Sequence, residues 1–195
     1  MSNFIIHRIN SINELLTIPC EYGVEVDLRW HNNKIVLAHD PCLVEEKYED
    51  LESYLKKFAH AYIILNIKET GFEVNVVEIL KKYNIKNYFF LDIQFPAAVK
   101  LLRQGITKFA LRLSEYENLD SVDDLIAFPS FVWVDCFTKY PENSTIKNIR
   151  DKGIKVCFVS PELQGHQFAL ANQLIVTDDD YICCKLETVT SWTSR

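Results

Sequence analysis

The sequence predicts a single α/β domain with the architecture of a small (β/α)8 barrel. Eight short apolar runs, rich in β-branched and aromatic residues, recur along the 195 residues, and stretches with the periodicity of amphipathic helices lie between most of them. The runs are nearly continuous in their hydrophobicity, which is typical of parallel strands buried on both faces. Eight alternating units favour a barrel of about 24 residues per unit, at the short end for this fold. An open doubly wound sheet has a similar pattern and is the alternative.

The predicted elements follow one another in regular order. Strands are predicted at residues 4–7, 24–28, 62–67, 88–93, 109–113, 131–135, 156–159 and 174–177. Helical periodicity predicts helices at 12–21, 49–58, 74–82, 96–103, 119–128 and 141–151, whereas the connector 161–172 has no clear pattern. The longest connection, between the second and third strands, contains an extra strand-like stretch at 34–40. No repeat or second domain is indicated, so we expect residues 1–195 to form one domain.

The composition disfavours several classes of protein. The chain has 21 Lys and Arg against 27 Asp and Glu, a net charge of −6, and a nucleic-acid partner would require a basic stripe instead. Its five glycines form no phosphate-binding loop, and its six cysteines, which include no C-x-x-C pair, are expected to be reduced. Without a signal peptide or a long apolar run, we expect a cytoplasmic protein with no stable membrane insertion. No pattern indicates an oligomeric state.

Polar residues end nearly every predicted strand. In a (β/α)8 barrel the site is built where the strands end, because the loops at that face surround it. A barrel with a purely structural role has no reason to repeat this pattern. The residues are His7, Arg8, Glu25, Asp27, Asn66, Lys68, Asp92, Arg112, Asp135, Ser160, Thr177 and Asp178.

The second strand carries two carboxylates on one face. Glu25 and Asp27 are two residues apart, so their side chains point to the same side of the strand and into the barrel mouth. Like charges this close favour a cation between them, and a hard divalent ion takes oxygen ligands. The same parity places Asn66 and Lys68 on the inner face of the third strand, which makes Asn66 the third candidate ligand.

Less specific interpretations exist for each of these residues. An isolated E-x-D is commonly a solvated or ion-paired motif, and Lys68 is equally consistent with an internal ion pair to Glu25 or Asp27. An inward arginine such as Arg112 is costly unless it meets an anion or a carboxylate, and we predict that it contacts the substrate.

Four polar segments follow one another along the chain: His7-Arg8, Glu25-Val26-Asp27, His39-Asp40-Pro41 and Asn66-Ile67-Lys68. Taken in order, they resemble the glycerophosphodiester phosphodiesterase family, which is related to the phosphatidylinositol-specific phospholipases C. Residues 175–178 also resemble the closing strand of that family. The family is a (β/α)8 barrel that commonly uses Ca²⁺ or Mg²⁺ to cleave glycerophosphodiesters to glycerol phosphate and an alcohol.

The resemblance implies metal ligands, an acid–base pair and phosphate contacts. Cations offset charge on the phosphoryl oxygens, while one histidine deprotonates the nucleophile and the other protonates the leaving oxygen. The nucleophile is either a neighbouring glycerol hydroxyl or water. The implied metal ligands for Mg²⁺ or Ca²⁺ are Glu25, Asp27 and Asn66. The implied acid–base pair is His7 and His39, and the implied phosphate contacts are Arg8 and Lys68.

Three features depart from the family pattern. Ile9 stands where the family usually has glycine, which predicts a different path for this loop. Asn66 replaces a glutamate and lowers the formal ligand charge from −3 to −2, so we expect weaker metal binding. The segment between His39 and Asn66 is too short for the insertion that many members carry.

We therefore expect a minimal metal-dependent phosphodiesterase whose partner is a small-molecule phosphodiester. A second hypothesis, motivated by Ile9 and Asn66, is a catalytically silent barrel that binds a phosphorylated ligand or a protein. A third is a metal-dependent hydrolase of the amidohydrolase type, against which the missing H-x-H on the first strand counts.

Overall fold

A computed structural model describes residues 3–120, 125 and 127–194 of the chain. Its strands are β1 (Asn3–Ile6), β2 (Gly23–His31), β3 (Lys34–Leu37), β4 (Ile63–Ile67), β5 (Tyr88–Leu91), β6 (Ala110–Leu113), β7 (Phe131–Val134), β8 (Lys155–Val159) and β9 (Tyr181–Cys184). Its α-helices are α1 (Ile12–Leu15), α2 (Leu51–Leu55), α3 (Glu73–Lys82), α4 (Phe95–Arg103), α5 (Asn143–Asp151) and α6 (Val189–Thr193).

Eight parallel strands form a nearly closed barrel in the order β5-β4-β2-β1-β9-β8-β7-β6. A bridge between Phe90 and Phe109 joins the two ends of this order, and the Phe90 N–H donates to the carbonyl of Lys108 at 3.0 Å. β3 is antiparallel to β2 and lies outside the barrel order. The predicted (β/α)8 barrel is therefore confirmed, and the extra strand predicted at 34–40 is present as β3.

Side-chain alternation separates two apolar layers. Phe4 and Ile6 of β1 belong to the outer layer between strands and helices, whereas Ile5 belongs to the layer inside the barrel. Trp133 also lies in the inner layer, and its indole N–H donates to Asp135 Oδ2 at 3.1 Å. Neighbouring residues on each strand are consequently buried on opposite faces.

The prediction of the closing strand at 174–177 was wrong. Ile175 is 63% exposed, and the backbone N–H and hydroxyl of Thr177 donate to Asp180 Oδ2 at 2.7 and 3.0 Å, which forms a turn. All four residues of β9 are buried, and β9 pairs with β1 and β8. Because Thr177 and Asp178 precede β9, they lie at the amino-terminal end of the barrel and not at its site-bearing face.

Several helices are shorter than predicted. The helix predicted at 12–21 ends at Leu15, ahead of Pro19, and begins at a capping box in which Ser11 Oγ accepts from the Glu14 N–H at 3.2 Å. The connector at 161–172 forms two short 3-10 helices, Pro161–Gln164 and Phe168–Gln173. The helix predicted at 119–128 falls largely outside the described residues. No described helix is long and apolar enough to span a membrane, and all six cysteines are free.

Candidate active site

The carboxyl ends of β1, β2 and β4, together with the segment after β3, bring most of the predicted site residues into one cluster. Parallel pairing places Asp27 opposite Asn66, and the backbone N–H of Ala38, just before His39, donates to the carbonyl of Asp27 at 3.0 Å. This mouth cluster contains His7, Arg8, Glu25, Asp27, His39, Asn66 and Lys68.

Glu25 is fully buried beside a second carboxylate. Its Oε2 accepts from the backbone N–H of Arg8 at 2.8 Å and lies 3.8 Å from His7 Nε2. Burial and the neighbouring charge of Asp27 raise the pKa of Glu25 to about 7, in spite of contacts with Arg8 and Asn66 that lower it. Its Oε1 is buried without a hydrogen bond of normal geometry in the described part of the chain.

Asp27 is equally buried but is surrounded by cations and amide groups. Lys68 Nζ lies 2.9 Å from its Oδ1, and Arg8 Nε lies 4.0 Å from its Oδ2. Asn10 Nδ2 donates to Oδ2 at 2.8 Å, while Asn10 Oδ1 accepts from the Asp27 backbone N–H, also at 2.8 Å. Sequence reasoning missed Asn10, which lies two residues after Arg8 in the loop that follows β1.

The two histidines differ in their surroundings. Burial and the charge of Arg8 lower the pKa of His7 to about 4, so its imidazole is neutral near pH 7. His39 Nε2 lies 2.5 Å from Arg8 Nη2, and its Nδ1 lies 2.8 Å from Asp40 Oδ1. A guanidinium can only donate, so Nε2 accepts and the proton of His39 lies on Nδ1, facing Asp40.

The loop after β1 shows how the chain accommodates Ile9 in place of glycine. Arg8, and not Ile9, takes the left-handed conformation, with φ of 55°. The Ile9 N–H donates to the Glu25 carbonyl at 2.8 Å, its carbonyl accepts from the Tyr54 hydroxyl at 2.9 Å, and its side chain is buried. Residue 9 thus needs no glycine here, and its side chain anchors the loop in the core.

Arg29 supports the segment that carries His39. Its Nε and Nη2 donate to the carbonyl of His39 at 3.2 and 2.9 Å, and its Nη1 donates to Glu69 Oε1 at 2.7 Å. This arginine lies on β2 past the barrel rim, where the β2–β3 hairpin continues beyond the mouth. The hairpin therefore positions His39 from outside the barrel.

Arg112 lies in a separate ionic cluster on β6. Its guanidinium pairs with Asp92 at 2.7 Å and with Asp135, and Gln164 Nε2 donates to Asp135 Oδ1 at 2.6 Å. Among the described residues, Arg112 makes none of its ion pairs with the mouth cluster. The carboxylates that an inward arginine needs are thus supplied by the protein, and substrate contact by Arg112 remains a prediction.

The oxygen atoms of the mouth cluster suit a hard divalent cation. Glu25 Oε1 and Asn66 Oδ1 are both buried acceptors without hydrogen-bond donors among the described residues, and Asp27 lies two residues after Glu25 on β2, opposite Asn66 on β4. Carboxylate and amide oxygens are the ligands that Mg²⁺ and Ca²⁺ prefer. No group of three His, Cys, Asp or Glu side chains in the described ranges forms a metal site, so the amide of Asn66 is needed to complete the set.

No protein-family model matches the sequence, and no curated protein matches it significantly. Two crystal structures from Agrobacterium tumefaciens do match, each 12% identical in sequence. The first, a protein assigned as a glycerophosphoryl diester phosphodiesterase, has a TM-score of 0.73 over 100% of this chain and 98% of that one. The second, a glycerophosphodiester phosphodiesterase, has a TM-score of 0.69 over 100% of both chains. The chain has the fold of the glycerophosphodiester phosphodiesterases. A glycerophosphoryl diester phosphodiesterase from Parabacteroides distasonis, also 12% identical, has a TM-score of 0.67 over 99% of this chain and 86% of that one.

This phosphodiesterase fold confirms the structural side of the resemblance drawn from the four sequence segments. The four segments that carry the resemblance lie around the same mouth of the barrel. At 12% identity the neighbours establish the fold, and the roles of individual side chains depend on the geometry described above.

Proposed function

We propose that this chain is a metal-dependent phosphoric diester hydrolase that cleaves a glycerophosphodiester, or a similar small phosphodiester, to a phosphomonoester and an alcohol. The observation that carries the proposal is the mouth cluster: two histidines, two cationic side chains and two buried carboxylates meet at one face of a barrel with the glycerophosphodiester phosphodiesterase fold. The neighbours' names specify the same class of substrate.

Glu25, Asp27 and Asn66 would hold Mg²⁺ or Ca²⁺. When bound, such a cation supplies positive charge that offsets the charge on the phosphoryl oxygens. Asp27 is the ligand with the most competition, because Lys68 and Asn10 already contact its two oxygens. The ligand set carries two formal charges, so we expect binding that is weak and readily reversed by a chelator.

The histidines divide the proton transfers. His7 is neutral near pH 7 because its pKa is about 4, which suits a group that accepts a proton from the attacking oxygen. Asp40 Oδ1, 2.8 Å from His39 Nδ1, orients the ring so that Nε2 meets Arg8 of the mouth cluster, which suits a group that protonates the leaving oxygen. His7 is therefore assigned as the base and His39 as the acid.

Arg8 connects substrate binding to the release of His39 Nε2 from its hydrogen bond with Arg8. Its side chain is 48% exposed and its Nη2 occupies the lone pair of His39 Nε2. A phosphate at the mouth attracts the guanidinium more strongly than a neutral imidazole does, because phosphate is charged and binds in a bidentate manner. Movement of Arg8 onto the phosphate leaves Nε2 able to carry a proton.

An activity assay with matched variants tests the proposal. Purified protein is assayed with Mg²⁺ or Ca²⁺ against glycerophosphocholine, glycerophosphoethanolamine and bis(p-nitrophenyl) phosphate. We expect turnover that a chelator abolishes, and a loss of about 100-fold or more in kcat for His39→Ala and for His7→Ala. His166→Ala is the control, because the ring of this histidine contacts the Phe137 carbonyl and lies outside the mouth cluster. Absence of hydrolysis, or activity indifferent to chelation and to His39→Ala, would overturn it.

A catalytically silent barrel that binds a phosphorylated ligand is the second candidate. The pairing of Lys68 with Asp27 and of Arg8 with His39 favours it, since these contacts satisfy the site internally. Saturable binding of glycerophosphocholine without turnover, at any metal concentration, would select this candidate over the hydrolase.

A further inference from the structure

A cavity of about 540 Å³ opens at the amino-terminal end of the barrel, on the face opposite the mouth cluster. Residues at the starts of several strands line it, among them Phe4 and Gly23. The mechanism proposed above uses none of its lining residues. This basal cavity is therefore separate from the proposed catalytic site.

The floor of the basal cavity is aromatic. The ring of Tyr62 lies 5.1 Å from that of Tyr181 and 5.9 Å from that of Phe131, and the rings of Phe131 and Tyr181 are also 5.1 Å apart. Neither tyrosine hydroxyl has a hydrogen-bond partner among the described residues; Tyr62 is half-buried and Tyr181 is 8% exposed. The floor thus combines an apolar ring surface with two free hydroxyl donors.

Three lysines surround this floor. Lys108 Nζ donates to the carbonyl of Lys86 at 2.6 Å and lies 4.7 Å from the ring centre of Tyr88, while Lys155 Nζ lies 5.8 Å from the ring of Phe131 and 5.7 Å from that of Tyr181. In the described part of the chain, none of the three ammonium groups forms an ion pair with a carboxylate.

The charge at the cavity is positive in a chain whose net charge is −6. Lys86, Lys108 and Lys155 line the cavity together with one carboxylate, Glu21, which leaves a formal excess of two positive charges (3 − 1 = 2). Unpaired like charges gathered around an apolar floor are unfavourable unless an anion joins them. A dianion matches this excess better than a singly charged carboxylate does.

We propose that the basal cavity binds a small phosphomonoester that carries a ring, with the phosphate among the three lysines and the ring on the aromatic floor. The lysines supply charge, the hydroxyls of Tyr62 and Tyr181 supply hydrogen bonds, and the floor supplies stacking surface. The volume exceeds what a free phosphate fills and is within the range of small-molecule sites. The proposal does not depend on the hydrolase activity at the opposite face.

Binding of adenosine 5′-monophosphate, measured by calorimetry on the full chain without added metal, tests the site. Adenosine, which lacks the charge, and inorganic phosphate, which lacks the ring, are the comparison probes. We expect saturable binding of the nucleotide, at least tenfold weaker binding of both comparison probes, and affinity that falls as salt is raised. If adenosine bound as tightly as the nucleotide, the lysines would have no role and the proposal would be overturned. Absence of nucleotide binding would overturn it as well.

Two variants separate the basal cavity from the mouth cluster. Lys108→Gln with Lys155→Gln should weaken nucleotide binding at least tenfold, whereas Lys68→Gln at the mouth should leave it unchanged. Lys57→Gln, at an exposed position that does not line the basal cavity, controls for the loss of a surface charge. The reverse pattern, with binding lost only in Lys68→Gln, would place the nucleotide at the mouth and overturn the basal site. Thermal unfolding of each variant confirms that it is folded.

Discussion

At the scale of single residues, the mouth cluster depends on groups that hold its buried carboxylates in place. Asp27 and Asn10 share two hydrogen bonds: Asn10 Nδ2 donates to Asp27 Oδ2, and the Asp27 backbone N–H donates to Asn10 Oδ1. Asn10 itself is partly exposed, and both of its side-chain hydrogen bonds described above are made with Asp27. We therefore regard it as a positioning residue for Asp27.

Replacing Asn10 should damage the site more than the fold. Asn10→Ala leaves the Asp27 N–H and one carboxylate oxygen without their partner, which costs about 1–3 kcal/mol of unfolding free energy. Under the proposed function, we expect a loss of about 10–100-fold in activity, as for other residues that orient a ligand. Urea unfolding and kcat/KM measure the two effects, with Asn75→Ala on the exposed face of α3 as control. Unchanged kcat/KM would contradict the positioning role.

Glu115 links the loops after β6 and β7 and makes stability depend on pH. It accepts hydrogen bonds from the Thr138 hydroxyl at 2.7 Å and from the backbone N–H groups of Phe137, Thr138 and Lys139. Burial opposes ionisation, but these hydrogen bonds outweigh it and lower the pKa of Glu115 to about 2. Because its pKa is lower folded than unfolded, its contribution is complete above about pH 4.5 and is lost as pH falls towards 2.

Glu115→Gln should remove this part of the pH dependence. We expect the variant to be less stable than the parent at pH 6, and the difference between them to shrink steadily as pH falls from 4.5 to 2. Urea unfolding at several pH values measures this difference. Glu45→Gln, at an exposed position, should show no such trend. A difference that is constant with pH would show that Glu115 acts by shape alone.

At the scale of elements, β2 connects the core of the barrel to the site. It begins at Gly23 inside the barrel wall, carries Glu25 and Asp27 to the mouth, and continues past the rim to form the hairpin with β3. Arg29 on this extension holds the carbonyl of His39. One strand thus places the carboxylates directly and the histidine through its neighbour.

Close packing makes glycine necessary at the start of β2. A Cβ at residue 23 would lie 2.3 Å from Ile5 Cδ1 and 2.9 Å from Tyr62 Cβ, which is closer than van der Waals contact allows. Gly23→Ala should therefore cost about 1–3 kcal/mol of unfolding free energy, measured with urea. Adding Ile5→Val, which removes Cδ1, should recover part of that loss. If Gly23→Ala alone were as stable as the parent, the packing argument would be contradicted.

At the scale of the whole molecule, the barrel has one weak seam. Most neighbouring strands pair over several residues, for example β2 and β4 over five, whereas β5 and β6 share the single bridge between Phe90 and Phe109. Local opening costs less free energy where fewer hydrogen bonds must break. We therefore expect the barrel to open first between β5 and β6.

Amide hydrogen exchange tests this expectation. The Phe90 N–H crosses the seam to Lys108, and the Val24 N–H crosses from β2 to the Tyr62 carbonyl, both at 3.0 Å. Both residues are fully buried, so their difference in exchange reports opening and not exposure. The Phe90 amide should exchange at least tenfold faster than that of Val24 under native conditions. Equal protection would mean that the seam opens only with global unfolding.

Local patterns predicted most of the architecture and the membership of the mouth cluster. Continuous apolar runs marked seven of the eight barrel strands, and parity along β2 and β4 correctly placed Glu25, Asp27 and Asn66 together. Asn10 was missed because its role depends on a hydrogen bond across the β1–β2 pairing, which no local pattern encodes.

The sequence by itself determined the alternation of strands and helices and the strand that carries the two carboxylates, because burial on one or both faces imposes a local period. Only the tertiary structure decided that Tyr181–Cys184, and not residues 174–177, closes the barrel, since the choice depends on pairing with Asn3–Ile6 at the far end of the chain. Tertiary structure likewise decided that carboxylates of β5 and β7 engage Arg112, and that lysines distant in sequence gather at the basal cavity. Such contacts are set by the closure of the barrel, which brings together residues that no local period relates.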